Sequence, residues 1–328
     1  MSDLISTVEK HFSGKRILVC GDLIADQFMT GSVTRMSREA PVQILNHLET
    51  ETRPGGAANA AANVAALGAE PVLVGVIGAD ATRDLLIAAL NAESISAEEV
   101  IVTSTVSTTC KLRIFASSEK DNSKQAIRVD YGKCDSIDAA VIEELLTTIV
   151  RLMPSVDAVI LSDYGYGVVS ERVASVVIEL AKERNVPVVV DSRFGLKNFR
   201  GATSGTPNQE EVEKLLGAEV EAGACQKLCG ELGFNSLLVT RGSEGMLLVE
   251  PSSEPLAIDA VGEKKAVDVT GAGDTVIATY TLGLACGLSF ADSARLANHA
   301  GGIVVMKKGT STVSASELLA SLTSNEKK

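Results

Sequence analysis

The sequence predicts an α/β fold: a mainly parallel central sheet with helices on both faces, carrying a small separate β-lid. Three observations lead there. Compact apolar runs at Arg16–Asp22, Val72–Ile77, Asp157–Asp163, Val186–Asp191 and Ser236–Thr240 read as buried strands, and several end in Asp. Stretches with helical spacing lie between them, and strand–helix alternation requires parallel strands joined by crossovers. The chain is 45% hydrophobic but only 3% aromatic, with no Trp, a composition suited to helices packed on strands covered from both sides. Its 328 residues are expected to form one domain, 1–328, with no repeat, low-complexity segment or linker.

In chain order, residues 2–14 read as a short amphipathic helix. The first strand ends at Gly21-Asp22. Open α/β sheets bind ligands at the carboxyl ends of their strands, so Asp22 and Asp26 are candidates for a crevice there; turn-forming Asp residues are the plainer alternative. From about 27 to 53 the pattern turns extended, and Pro41 excludes a helix interior. A second extended stretch begins at 108, with 127–131 as its hairpin partner across Glu119–Lys124. Segments 27–53 and 108–131 together form the expected lid, on which Lys111 and Arg113 project to the same face.

Gly55-Gly56 ends the lid strand and an Ala-rich helix runs to Gly68. Asn59 falls in its first turns, within reach of a ligand over the two glycines. Further on, Asp163 and Asp191 end strands, and Arg193 follows the second of them. Asn208 and Glu211 lie three apart at a helix start. Thr240, Gly242 and Gly245 form the turn between the strands 236–240 and 246–250.

The most informative stretch is Asp268-Val269-Thr270-Gly271-Ala272-Gly273-Asp274-Thr275. Its glycines let backbone amides converge, and a helix starting near Asp274 would add unpaired N–H groups and partial positive charge, an anion site made of backbone. A carboxylate in such a place has a purpose if it takes a proton, drawing it from a substrate hydroxyl while the turn holds the charge on a transferred group. An N-capping Asp after a glycine turn accounts for the octet as well.

The formal net charge is −12, which argues against nucleic acid or an anionic membrane as partner. Any phosphate must be held by local donors. The six cysteines are scattered. Cys225 and Cys229 lie one helical turn apart without a second ligand pair, so zinc is not expected; reduced thiols in a cytoplasmic protein are. The N-terminus has no basic-then-apolar signal pattern, and no apolar run is long enough to span a bilayer.

Two of these stretches resemble the signatures of the PfkB/ribokinase family of sugar kinases. The octet matches the second signature, and Gly55-Gly56-x-x-Asn59 with its Ala-rich continuation matches the first. The likeness covers nearly the whole chain and implies a ribokinase-like fold. It implies Asp274 as catalytic base with Gly271, Ala272 and Gly273 as the anion hole, and sugar contacts from Asp22, Asp26, Gly55, Gly56, Asn59, Lys111, Arg113, Asp163 and Arg193. ATP would lie on Asn208, Thr240, Gly242, Gly245 and Asn298. Mg²⁺ would be held through water by Asn208 and Glu211, which suits an ion that keeps its waters. No Walker A motif is present.

Ser37-Arg38-Glu39-Ala40-Pro41-Val42, Leu161-Ser162-Asp163-Tyr164 and Lys308-Gly309-Thr310 resemble the heptose 7-phosphate kinase branch. The departures are Asp163-Tyr164-Gly165-Tyr166-Gly167 where that branch has D-Y-A-K-G, Asp191-Ser192-Arg193 where it has D-P-K, and Arg38 in place of a proline. The resemblance implies a cytoplasmic, ATP-dependent kinase acting on a sugar phosphate, homodimeric through the lid. Kinases for an unphosphorylated sugar or a nucleoside, and a non-catalytic binding regulator on the same scaffold, are the alternatives.

Overall fold

The structure, a computed structural model, describes residues 2–118, 121–132, 136–193, 195–262 and 265–325. Helix α1 (Ser2–His11) leads into β1 (Arg16–Gly21), followed by β2 (Leu23–Met36), β3 (Gln43–Gly56), α2 (Ala57–Ala66), β4 (Glu70–Gly78), α3 (Ala81–Ala92) and β5 (Val100–Thr103). The middle of the chain forms β6 (Thr109–Ser118), β7 (Asp121–Tyr131), α4 (Ala139–Leu152), β8 (Ala158–Asp163), α5 (Glu171–Glu183), β9 (Val188–Ser192), β10 (Ser204–Gly205) and α6 (Gln209–Leu216). It closes with α7 (Ala222–Leu232), β11 (Ser236–Thr240), β12 (Met246–Val249), β13 (Leu256–Ile258), α8 (Ala272–Ala285), α9 (Phe290–Val304) and α10 (Ala315–Asn325).

Nine strands form the main sheet in the order β13-β12-β11-β10-β9-β8-β1-β4-β5. All neighbours are parallel except β11–β12 and β12–β13. The period of two along each strand divides its side chains between two cores. Ile17, Val19, Ile160 and Val189 join one with helices α1, α2, α8, α9 and α10; Leu18, Cys20, Leu161 and Val190 join the other with α4, α5, α6 and α7. Both faces are covered, which is why these strands read as continuous apolar runs. The short strands β5, β10 and β13 were not legible, whereas β12, equally short, was marked by the Gly242–Gly245 turn before it.

The chain leaves β1 for β4 on one side and returns to β8 on the other, so the crevice opens at the carboxyl end of β1. Only Asp22 separates β1 from β2, the first lid strand. The lid is a four-stranded sheet, β3-β2-β6-β7, in which two antiparallel hairpins are joined by the parallel pair β2–β6. Strand β7 begins at Asp121, earlier than expected, and residues 119–120 of the turn lie outside the described residues. So do Cys134 and the last three residues of the tail; the other five cysteines are free thiols. Among the described residues no helix is long and apolar enough to cross a membrane.

Candidate active site

Helix α8 begins at Ala272, and its N-cap is Gly271 with φ 78°, which makes no side-chain capping bond. Asp274 is therefore not the cap. A Cβ on Gly271 would lie 2.6 Å from Asn59 Nδ2, so both the left-handed backbone and the close approach require glycine. Behind the turn, Asp268 accepts hydrogen bonds from the amide and hydroxyl of Thr270 (2.9 and 2.7 Å) and from the amide of Gly309 (2.9 Å). Burial opposes ionisation of Asp268, but these donors outweigh it and hold its carboxyl below the usual range.

Asp274 is 3% exposed. Asn59 Nδ2 donates to one carboxylate oxygen at 2.7 Å and the Tyr164 hydroxyl donates to the other at 2.8 Å. Burial pushes the Asp274 carboxyl up to about 6, against the lowering effect of these two donors. A group titrating there is ionised at neutral pH and still basic enough to accept a proton. Asn59 is fixed in turn by Asn63, whose Nδ2 donates to the Asn59 carbonyl at 3.0 Å.

The cations divide into two sets. Arg113 Nη1 donates to Asp26 Oδ1 at 2.7 Å, both side chains being nearly buried, and its guanidinium lies over the Phe28 ring. Arg113 is thus paired within the lid. Lys111 and Arg193 instead flank Tyr164, at 4.8 and 4.6 Å from its ring centroid. Burial, and then the charge of Arg193, push the Lys111 ammonium down, and the nearby Asp26 and Asp130 only partly offset them.

Two of the expected substrate carboxylates already hold donors of the protein itself. Asp22 is 1% exposed and accepts from the amides of Tyr164, Tyr166 and Val168 at 2.7, 3.0 and 3.2 Å. It builds the loop after β8. Asp163 accepts from the Gly165 amide at 2.9 Å and from the Ser192 hydroxyl at 2.7 Å, tying β8 to β9. Both were placed at the right strand ends, but their oxygens are taken up by backbone and hydroxyl donors. Asn208 and Glu211 form a reciprocal capping box at the start of α6, with both bonds at 2.9 Å. Their spacing has a structural cause, and one Glu211 oxygen remains outside it.

A cavity of about 200 Å³ runs from the β11–β12 turn to the head of α8, lined by Thr240, Gly242, Gly245, Val276 and Asn298, with Ala272 and Gly273 at its inner end. The expected nucleotide residues on this side, Asn208 apart, thus share one pocket that abuts the anion turn. Asn298 is fixed by donating to the Asp259 carbonyl at 2.7 Å. Gly55 and Gly56 end lid strand β3 beside β2: a Cβ on Gly55 would lie 2.5 Å from Asp26 Oδ2.

Two residues were missed. Tyr164 sits in a turn whose sequence gave no sign that it reaches Asp274. Asp191 lies below Gly273, and burial, followed by the nearby Glu211 and Asp274, raises its carboxyl well above the usual range. Its position at a strand end was the available signal.

A backbone anion turn, a buried carboxylate beside it and a pocket leading into it define a phosphotransferase of the α/β class that has no P-loop. The match to known proteins narrows this. Residues 23–317 match the model of the pfkB family carbohydrate kinases, and the chain belongs to that family. It is 40% identical over 316 residues to the bifunctional protein HldE of Pseudomonas aeruginosa, covering 94% of this chain and 64% of that one. It is 35% identical over 325 residues to HldE of Trichlorobacter lovleyi, covering 97% and 65%. The chain thus spans less than two thirds of the length of these relatives. Among solved structures, Arabidopsis thaliana ribokinase complexed with ribose and ATP superposes with a TM-score of 0.72 at 21% identity, covering 94% of this chain and 99% of that one. Escherichia coli phosphofructokinase-2 in complex with fructose-6-phosphate gives 0.74 at 18%, covering 94% and 98%. The fold is ribokinase-like, as expected, and the family is one of carbohydrate kinases.

Proposed function

We propose that this kinase phosphorylates a sugar that already carries a phosphate, with D-glycero-D-manno-heptose 7-phosphate, converted to the 1,7-bisphosphate, as the first candidate. The observation that carries this reading is the pair Lys111 and Arg193, two cations with no ion-pair partner among the described residues, beside the residue that holds Asp274. The likeness to HldE supports the heptose. Asp274 takes the proton of the acceptor hydroxyl, whose oxygen attacks the γ-phosphorus in line; the amides at 271–273 hold the charge of the transferred group, and ADP leaves into the pocket at Thr240–Gly245.

Mg²⁺ is part of the proposal. Among the described residues no cluster of three or more His, Cys, Asp or Glu forms a cage, so a bare ion does not fit, whereas a hydrated one does. Asn208 and Glu211 would hold it through water. Burial raises the Glu211 carboxyl, against the lowering effect of the Asn208 amide and of the charges of Arg193 and Lys214. The ion would neutralise charge on the nucleotide phosphates. In this reading residues 1–328 act as one cytoplasmic kinase domain, with Asp26, Gly55, Gly56 and Asn59 on the sugar hydroxyls.

ADP release assayed across sugars and sugar phosphates tests the acceptor. Turnover is expected with the phosphorylated sugars. Lys111→Ala and Arg193→Ala should each raise KM for the sugar phosphate about tenfold or more while barely moving KM for ATP. Efficient turnover of a neutral sugar, indifferent to both changes, would overturn the reading.

A further inference from the structure

Tyr164 carries out none of the chemical steps above, yet it occupies the centre of the site. Three facts fix it. Its hydroxyl donates to Asp274 Oδ1 at 2.8 Å. Lys111 and Arg193 lie 4.8 and 4.6 Å from its ring centroid, which restrains the ring. Its amide donates to Asp22 Oδ2 at 2.7 Å, and the same carboxylate takes the amides of Tyr166 and Val168. The ring is therefore held from its backbone and by both cations, and the one polar atom it carries is aimed at the base.

We infer that Tyr164 is the positioning residue for Asp274: it fixes the carboxylate from the side opposite Asn59 and favours its ionised form. The inference rests on the reading of Asp274 as the base.

The electrostatic logic is direct. A hydroxyl that can only donate to a carboxylate stabilises the anion over the acid. Asn59 does the same for the other oxygen. The remaining charged groups that act on this cluster are Asp26, Arg193, Asp191 and Lys111, with Asp163 and Glu211 acting on Asp191. Asp191 and Asp26 disfavour a further negative charge, and the two donors together with Arg193 favour it. Burial pushes the Tyr164 hydroxyl well above its usual range, so it stays protonated as a donor.

The test is Tyr164→Phe, which keeps the ring beside both cations and removes only the hydroxyl. Two readouts are used. With aspartate labelled at the carboxyl carbon, NMR identifies Asp274 as the resonance absent from Asp274→Asn. Its titration midpoint, near 6 in the parent, should rise by about one pH unit in Tyr164→Phe, the size of one charge-assisted hydrogen bond. This readout needs no substrate, so it stands whether or not the acceptor has been correctly chosen. With an active acceptor, the acid limb of kcat/KM should move up by the same amount and kcat should fall about tenfold, with KM for ATP unchanged. An unmoved Asp274 midpoint in a variant that still binds ATP would overturn the inference while leaving Asp274 as the base. A moved midpoint with an unmoved acid limb would also overturn it, because the titrating carboxylate would then not be the one that limits turnover.

Discussion

Asp274 lies where charge is expensive, and that has a consequence for stability as well as for rate. Its carboxyl is raised from 3.8 to about 6 by burial. The folded protein thus binds the proton more tightly than the unfolded chain does, and stability falls as pH rises between those two values. Above about pH 6 the ionised group costs on the order of 1–3 kcal/mol. Asp274→Asn should therefore melt a few degrees higher than the parent at pH 8, with the gain shrinking to nothing near pH 4. The same variant should lose about 10²–10⁴-fold in turnover while still binding ATP. Calorimetry across pH and a steady-state assay check the two halves, and near-normal turnover in folded protein would remove Asp274 from the mechanism. Gly271→Ala is the sharpest backbone test. It places a methyl 2.6 Å from Asn59 Nδ2 at a positive φ, and should cost about 1–3 kcal/mol and roughly 10²-fold in kcat, read by urea unfolding and by rate.

At the scale of elements, the loop after β8 depends on one buried side chain. Asp22 satisfies three amides there, and removing a buried acceptor strands its donors at about 1–3 kcal/mol each. Asp22→Ala should lower stability by several kcal/mol and reduce kcat more than it raises KM for sugar, since it releases the Tyr164 loop. A rise in KM alone would return Asp22 to the sugar site. This is also where reading the sequence reached its limit. The glycine turn, Asn59 and the Thr240–Gly245 pocket were legible because local chemistry imposes them: a positive φ, a helix start, a tight turn. Strand ends were legible through apolar periodicity. The direction of each carboxylate was not, because it is set by partners far away in sequence. Asp22 meets residues 164–168, Asp26 meets Arg113, and Asp274 meets Asn59 and Tyr164.

For the whole molecule, the lid poses a solubility question that assembly would answer. Met36, Val42, Leu48, Ile127 and Tyr131 are all more than half exposed on or beside it, and β3 and β7 are open edges. Pairing two lids would cover both, so we expect a homodimer in solution and a monomer on Leu48→Lys. Light scattering at micromolar concentration decides, and an active parent monomer would refute the lid as interface.

The lid's parallel join has a bearing on how the chain acquires its shape. Strand β2 pairs with β6 from Ile24–Thr109 to Ser32–Ser117, and the intervening chain threads through α2, β4, α3 and β5. Each hairpin can close on its own, but the seam between them cannot register until that intervening layer has docked, because distant pairing has to wait for the closure entropy to be met elsewhere. The lid should therefore be the last part to order. In pulse-labelled hydrogen exchange during refolding, amides of β1, β4 and β8 should gain protection before those along the β2–β6 seam. A chain caught at that stage would hold a finished nucleotide pocket beside an acceptor site with no roof.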